Sequence, residues 1–170
     1  PVKVAEFGGK IWQKNDTTYL TASILGFDSI QYEISMFYAV PTPTKTVTYT
    51  FNGLGDDIVD LQNAVSQSGI FILDAMSADG QLMAKVNVER IEDGTIAGTY
   101  YNDGKFDHSD FYPVDTWVKV WNAATKGYDE YAVQKGTMTV KQEGDVVTAV
   151  ASFICDNAVQ YDLTFITQYT

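Results

Sequence analysis

Alternation of apolar and polar residues is the feature that most limits how this chain can fold. In the stretch TVTYTF, Val47, Tyr49 and Phe51 share one face of an extended chain and three threonines share the other. The stretch LMAKVNVE, residues 82 to 89, follows the same rule. A period of two residues is typical of a strand that buries one face, and these runs end at Gly, Asp and Asn, which favour turns. The sequence therefore predicts an all-β fold.

An internal repeat adds to this prediction. The phrase SIQYEISMF at residues 29 to 37 returns as AVQYDLTFI at residues 158 to 166, and Gln31 is answered by Gln160 at an offset of 129 (160 minus 31). The same offset pairs Ser23 with Ser152. A looser middle copy contains the dipeptide Asp79-Gly80, a strong signal for a two-residue hairpin turn.

Repeated hairpins predict a particular architecture, because one hairpin alone is marginally stable and must pair with the next to bury its apolar face. We predict a single β-domain over residues 1–170, with hairpin repeats at about residues 10–52, 69–101 and 136–170. The expected fold is an antiparallel meander that forms a barrel or a sandwich. We also expect an early strand, around Ile11, to pair with the C-terminal strand and close the sheet.

One stretch departs from the strand pattern. In DDIVDLQNAVSQSG, Ile58, Leu61 and Val65 recur at helical spacing. Two aspartates precede the first of them and a glycine follows the last, as at the ends of many helices. This pattern predicts one short helix near residues 56–66.

Charge and composition exclude several classes of function. Eleven basic residues stand against 22 acidic ones, a formal net charge of -11, which repels nucleic acid. No apolar run reaches the length of a transmembrane helix. The single cysteine, Cys155, excludes an intrachain disulfide and lies in an apolar run, where we expect it to be buried.

Three phrases resemble a known group of proteins. They are GTIAGTYYND at residues 94–103, KGTMTVKQEGDVV at residues 135–147 and VQYDLTF at residues 159–165. They look like the strand starts of the secreted lipocalin-like and calycin-like β-barrel lipoproteins of gut Bacteroidetes, and the resemblance covers mainly residues 69–170. It implies a processed lipoprotein in the periplasm or on the cell surface. It carries no catalytic residue over to this chain.

A loop with several carboxylates could hold a metal ion. The candidate ligands are Asp103, Asp107, His108, Asp110 and Asp115. Their order does not reproduce the ligand order of an EF-hand, so a solvated acidic loop is favoured, and we predict neither a metal nor another cofactor.

Catalysis also lacks a supporting pattern. No strand-turn-helix G-x-S-x-G context occurs around a serine, and Cys155 has no basic neighbour in sequence to lower its pKa. With 22 acidic residues, a candidate carboxylate pair for glycoside hydrolysis arises by chance. We therefore predict that the protein is not an enzyme.

Aromatic residues are the stronger lead. In TWVKVW, alternation places Trp117, Lys119 and Trp121 on one face and Val118 and Val120 on the other, so that valines in the core would leave the tryptophans and the lysine at the surface. Core packing is the competing explanation for any single aromatic residue. The candidate ligand-binding residues are Trp117, Lys119, Trp121, Phe111, Tyr112 and Tyr128.

The sequence supports three hypotheses of function. The first is a non-enzymatic, extracytoplasmic binding protein of the cell envelope that recognises a glycan, a peptide or a partner protein through an exposed aromatic surface. The second is a lipocalin-like carrier of a small apolar ligand inside a barrel lined by Met36, Phe51, Met83 and Tyr100. The third is a structural or adhesive surface protein without a small ligand.

Overall fold

The fold was taken from a computed structural model that describes residues 4–14, 17–26, 29–63, 69–89, 95–105 and 109–169. Strands make up 71% of the chain and helix 2%, so the all-β prediction is confirmed. Contacts divide the chain into two units, residues 1–40 and 41–170. The single domain over residues 1–170 stays a prediction, because a unit of contacts is not by itself an independently folding domain. Within the described residues, we find no helix with the length and apolar character to cross a bilayer.

The first unit is an antiparallel sheet of three strands within its described residues. These are β1 (Val4–Lys14), β2 (Thr17–Gly26) and β3 (Gln31–Ala39), in the order β1-β2-β3. Trp12 pairs with Tyr19 across the β1–β2 ladder, and their rings stack with centroids 5.4 Å apart. Such aromatic cross-strand pairs stabilise a ladder.

The second unit is a sheet that has nine strands in the described part of the chain. They are β4 (Lys45–Asn52), β5 (Ile58–Asn63), β6 (Phe71–Met76), β7 (Leu82–Val88), β8 (Gly98–Asn102), β9 (Trp117–Asn122), β10 (Gly127–Glu143), β11 (Val146–Cys155) and β12 (Val159–Gln168). Their order is β4-β12-β11-β10-β9-β7-β6-β5, and β8 also pairs with β10. The sheet curls into a half-barrel.

The helix predicted near residues 56–66 is wrong for the residues that the structure describes there. Residues 58–63 form β5, which pairs with β6, and residues 64–68 lie outside the described part. Val59 and Leu61 pack against the core, whereas Ile58 is exposed, so a period of two residues prevailed over the helical spacing. The helical structure that is described is one 3₁₀ turn, Pro113–Asp115.

Asp57 shows why the helix start signal was misleading. Its carboxylate accepts hydrogen bonds from the backbone N–H groups of Asn52 at 2.9 Å and Ala78 at 2.6 Å. It also accepts one from the Tyr49 hydroxyl at 3.1 Å. A side chain that could cap a helix thus joins two turns of a sheet instead, because its acceptor oxygens serve any unpaired backbone donor.

The outer side of β12 is covered by an early strand, though not by the one we expected. The strand containing Ile11 pairs with β2 in the first unit, and β4 pairs with β12. This pairing is parallel, from Lys45 opposite Val159 to Asn52 opposite Ile166, so the meander is not wholly antiparallel. The Thr44 N–H donates to the Ala158 carbonyl at 2.9 Å, which places the start of β4 beside the start of β12.

The two outer strands of the sheet, β4 and β5, meet where a turn joins them. The N–H of Gly53 in this turn donates to the Ile166 carbonyl at 2.8 Å, and the Thr167 hydroxyl donates to the Val59 carbonyl at 2.9 Å. Gly53 is closely packed, because a Cβ added there would lie 2.7 Å from the Ile166 oxygen and 2.9 Å from the Val59 Cβ. The half-barrel is held together at this corner.

The offset of 129 residues relates backbone pairings as well as residue types. In the first unit Ala22 lies opposite Ile34, and in the second Ala151 lies opposite Leu163. The turns that precede β3 and β12 also correspond, since Ser29 and Ala158 both have a positive φ, at 63° and 58°. Positive φ is uncommon outside glycine, so its occurrence at equivalent positions shows that the two turns have the same backbone conformation.

The core of the second unit lies on the inner face of the curled sheet. Phe51 stacks on Phe165 with ring centroids 5.2 Å apart, and Phe111 meets Phe153 edge to face at 5.4 Å. The largest fully buried side chains are Phe51, Phe71, Phe153, Phe165, Leu73, Met138, Leu163, Val86, Val88, Val118, Val140 and Val147. The interior is thus filled by aromatic and branched side chains at these positions.

We predict that Gly53→Ala destabilises the second unit by about 1–3 kcal/mol, because the new methyl group forces the β4–β5 turn away from β12. Gly55→Ala is the matched control in the same turn, since its nearest neighbour is the flexible Asn52 side chain at 3.1 Å. The free energies of unfolding from urea titrations measure both effects. Equal effects of the two variants would contradict closure at Gly53.

Candidate binding surface

Strand β9 presents aromatic side chains on its outer face. Val118 is fully buried and Val120 packs against the core, whereas Trp117, Lys119 and Trp121 are partly exposed. Successive residues of a strand point to opposite faces, so these three side chains form a line along the outside of the sheet.

Contacts with neighbouring side chains hold this line in place. The Lys119 Nζ lies 4.2 Å from the centroid of the Trp117 ring and 2.9 Å from Glu130 Oε2. Trp121 meets the ring of Tyr128 edge to face at 5.2 Å. These contacts restrict the rotamers of the rings before any ligand arrives. We call Trp117, Lys119, Trp121 and Tyr128 the aromatic strip.

The hydroxyl of Tyr128 connects the strip to the adjoining hairpin. It donates a hydrogen bond to the carbonyl of Gly80, in the turn between β6 and β7. That turn has the Asp79-Gly80 dipeptide in its centre, Gly80 has a φ of 67°, and the Asp79 carboxylate accepts from the Ser77 hydroxyl at 2.7 Å. These hydrogen bonds to Ser77 and to the Gln81 N–H lower the pKa of Asp79. The turn is therefore well ordered and supports one end of the strip.

Strand β7 extends the surface beside β9. Met83 lies opposite Lys119, and Lys85 lies opposite Trp117 in the ladder. The Lys85 Nζ contacts Asp115 Oδ1 at 2.9 Å, and this hydrogen bond is the main cause of the lowered pKa of Asp115. Both lysines of the surface thus have a carboxylate partner, and the surface is close to electrically neutral.

Two of the predicted binding residues lie elsewhere on the second unit. Phe111 is buried, pairs with Val88 through an isolated bridge and packs edge to face on Phe153, so it belongs to the core. Tyr112 is exposed just before the 3₁₀ turn, and its N–H donates to the Asn87 carbonyl at 2.9 Å. The structure brings four of the six predicted residues together.

Some contributors to this surface were not found from the sequence. Glu130, Met83 and Gly80 come from separate strands or turns, and only the strand register brings them to β9 and Tyr128. The spacing WVKVW predicts which side chains of one strand share a face, but it carries no information on neighbouring strands.

The carboxylates proposed as metal ligands have other partners. Asp103 contacts Lys105 at 3.4 Å, Asp110 accepts from the Tyr101 N–H at 3.0 Å, and Asp115 is paired with Lys85. Asp107 and His108 lie outside the described residues. Where the chain is described, no group of three or more His, Cys, Asp or Glu side chains is arranged to hold a metal ion.

The four side chains proposed to line a carrier cavity occupy different environments. Phe51 is fully buried against Phe165, and the hydroxyl of Tyr100, also buried, donates to the Ile96 carbonyl at 2.8 Å. Met83 is half-buried on β7, and Met36 is exposed in the first unit.

Cys155 is fully buried in the core of the second unit. Burial, with a smaller contribution from the nearby Asp156 charge, raises the pKa of its thiol to about 12. The thiolate is the reactive form of cysteine, so this thiol is inert at neutral pH.

No protein-family model matches the chain, and comparisons with curated proteins and with solved structures give no significant match. The assignment of a function therefore rests on the residues and their geometry.

We predict that Cys155 makes the protein less stable at alkaline pH. Its folded-state pKa lies above the unfolded value, so its contribution is complete below about pH 8.5 and is lost as the pH rises toward 12. Between pH 7 and pH 10, the free energy of unfolding should fall by about 2 kcal/mol more in the unmodified protein than in Cys155→Ala. Urea titrations at the two pH values measure this difference, and tyrosine ionisation cancels in the comparison.

Two results would contradict this account of Cys155. One is an identical pH dependence of the two proteins. The other is rapid labelling of the thiol by a disulfide reagent in the folded protein at pH 8.

Proposed function

We propose that the protein is a non-enzymatic binding protein of the cell envelope that recognises an extended, uncharged glycan through the aromatic strip. Its place in the envelope follows from the resemblance to secreted β-barrel lipoproteins. Recognition by the strip follows from the geometry of β9 and β10.

The observation that carries the proposal is the fixed row of side chains on the outer face of β9. Trp117 and Trp121 are four residues apart, which is about 13 Å along a strand. A surface of this length with partly exposed rings suits a ligand that lies along the strand and stacks its apolar faces on them. Tyr128 and Lys119 hold the rings, so that little side-chain freedom is lost on binding.

Electrostatics favour an uncharged ligand. Lys119 is paired with Glu130 and Lys85 with Asp115, so the surface offers no unpaired cation at these positions for an anionic group. The net charge of -11 repels anionic ligands further. A hydroxyl-rich glycan can stack on the rings and accept or donate hydrogen bonds at the paired charges.

A non-enzymatic role is supported by the chemistry of the groups that could react. The thiol of Cys155 is buried and protonated, and the carboxylates of Asp103, Asp110 and Asp115 each have a partner. Perturbed groups converging on a cleft, the usual mark of a catalytic site, are not what these residues form.

The first test is a thermal-melt series with soluble glycans, peptides and fatty acids. A ligand at a hundredfold excess over its Kd stabilises the folded state by about 2.7 kcal/mol. We expect a rise in Tm with a glycan. A rise with fatty acids alone would favour the carrier, and a rise with peptides alone would favour polypeptide recognition.

The second test locates the site. We predict that Trp121→Ala and Trp117→Ala each weaken binding of that glycan about tenfold or more, as for a central aromatic contact. Trp12→Ala is the matched control, since Trp12 is a partly exposed tryptophan of the first unit. Calorimetric titration measures the three affinities. Unchanged binding by both strip variants would contradict the proposal.

A further inference from the structure

The first unit and the last three strands of the second unit share their backbone irregularities. The β1–β2 ladder shifts register between Val4 and Glu6, and the β10–β11 ladder shifts between Val133 and Lys135. These positions are again 129 residues apart. A bulge inserts one residue into a strand, so its recurrence at equivalent positions marks two copies of one three-stranded module.

A side-chain hydrogen bond recurs at the same offset. In the first unit Gln31 Nε2 donates to Ser23 Oγ at 3.0 Å, and in the second Gln160 Nε2 donates to Ser152 Oγ at 3.2 Å. Both bonds join the second and third strands of their module. The two modules thus agree in sequence, register, bulge, turn and cross-strand bonding.

The two modules differ in what covers the inner face of their third strand. Leu163 and Phe165 on β12 are fully buried, whereas the equivalent Ile34 and Met36 on β3 are 41% and 61% exposed. On the first strand of each module, Val140 is buried and the equivalent Ile11 is exposed. The first unit therefore presents to solvent the apolar face that the second unit buries.

The chain also shows what covers this face in the complete module. In the second unit, residues 41–129 lie directly ahead of the module that ends the unit, and they supply β4 to β9. The inward residues of β6, β7 and β9 are small or branched, as with Ala75, Ala84 and Val118. The strand β4 also pairs with the outer side of β12, whereas β3 pairs with β2 alone among the described strands.

The repeat distance connects these observations. The second unit spans residues 41–170, which is 130 positions, and the offset between the modules is 129. We infer that residues 1–40 are the last three strands of a tandem repeat, and that a β-meander patterned like residues 41–129, in the polypeptide ahead of residue 1, covers the face formed by Ile11, Ile34 and Met36. That segment would also add a parallel strand to the edge of β3, as β4 does for β12.

The test supplies the missing strands. An extended chain carries a copy of residues 41–129 ahead of residues 1–170, so that Asp129 of the copy is followed directly by Pro1. With Trp117 and Trp121 replaced by Phe in every copy, the fluorescence of Trp12 reports unfolding of the first unit alone. We expect the urea midpoint reported by Trp12 to rise by about 1 M or more relative to the same substitutions in the 1–170 chain.

Two adjacent residues provide matched variants. Met36 lies on the apolar face and Ser35 on the opposite face of β3. In the extended chain, Met36→Asp should cancel the rise in midpoint and Ser35→Asp should leave it in place. In the 1–170 chain, where both side chains are exposed, neither variant should move the midpoint.

A control and a second linkage make the result decisive. Residues 41–129 appended after residue 170 should leave the Trp12 midpoint unchanged, because the repeat order is then broken. A second extended chain joins the segments through a flexible Gly/Ser linker, in case the direct junction prevents folding. The inference is overturned if neither extended chain raises the midpoint, or if Met36→Asp leaves the rise intact. It is also overturned if the 1–170 chain dimerises and Met36→Asp abolishes the dimer, since a second copy then covers the face.

Discussion

The second unit depends on one constraint: β4 and β5 are consecutive strands, yet they form the two edges of the sheet. The turn between Asn52 and Ile58 can span about 20 Å at most. Eight strands side by side in a flat sheet would place the outer two about 34 Å apart. The sheet must therefore curl until its edges meet, and the hydrogen bonds of Gly53 and Thr167 lie at that meeting point.

Curling divides the sheet into an inner face for packing and an outer face for recognition. The inner face is filled by side chains such as Phe51, Phe153 and Phe165, which leaves the outer face as the place for a ligand. On the outer face, β9 contributes a row of rings, while β10 and the β6–β7 turn hold that row through Glu130, Tyr128 and Gly80. The strip is thus a product of strand register, and its rigidity comes from three separate segments of the chain.

Much of this arrangement could be predicted from the sequence, where the signal is local. Alternation identifies the strands and the outward face of TWVKVW, and Asp79-Gly80 marks a tight turn. Non-local features could not be predicted, among them the parallel pairing of β4 with β12 and the burial of Phe111. The helix predicted near residues 56–66 failed because Ile58 and Leu61 satisfy both periods, and the core on one side of β5 selects the period that buries Val59 with Leu61.

The most direct test of the account is an NMR titration that follows the indole N–H signals of the three tryptophans with the glycan that raises Tm. The account predicts that the signals of Trp117 and Trp121 shift with ligand concentration, while the signal of Trp12 stays in place. Methyl signals of the buried Met138 and Leu163 should also remain unchanged. Shifts of these core methyl groups without a response from Trp117 and Trp121 would place the ligand inside the sheet and contradict the account.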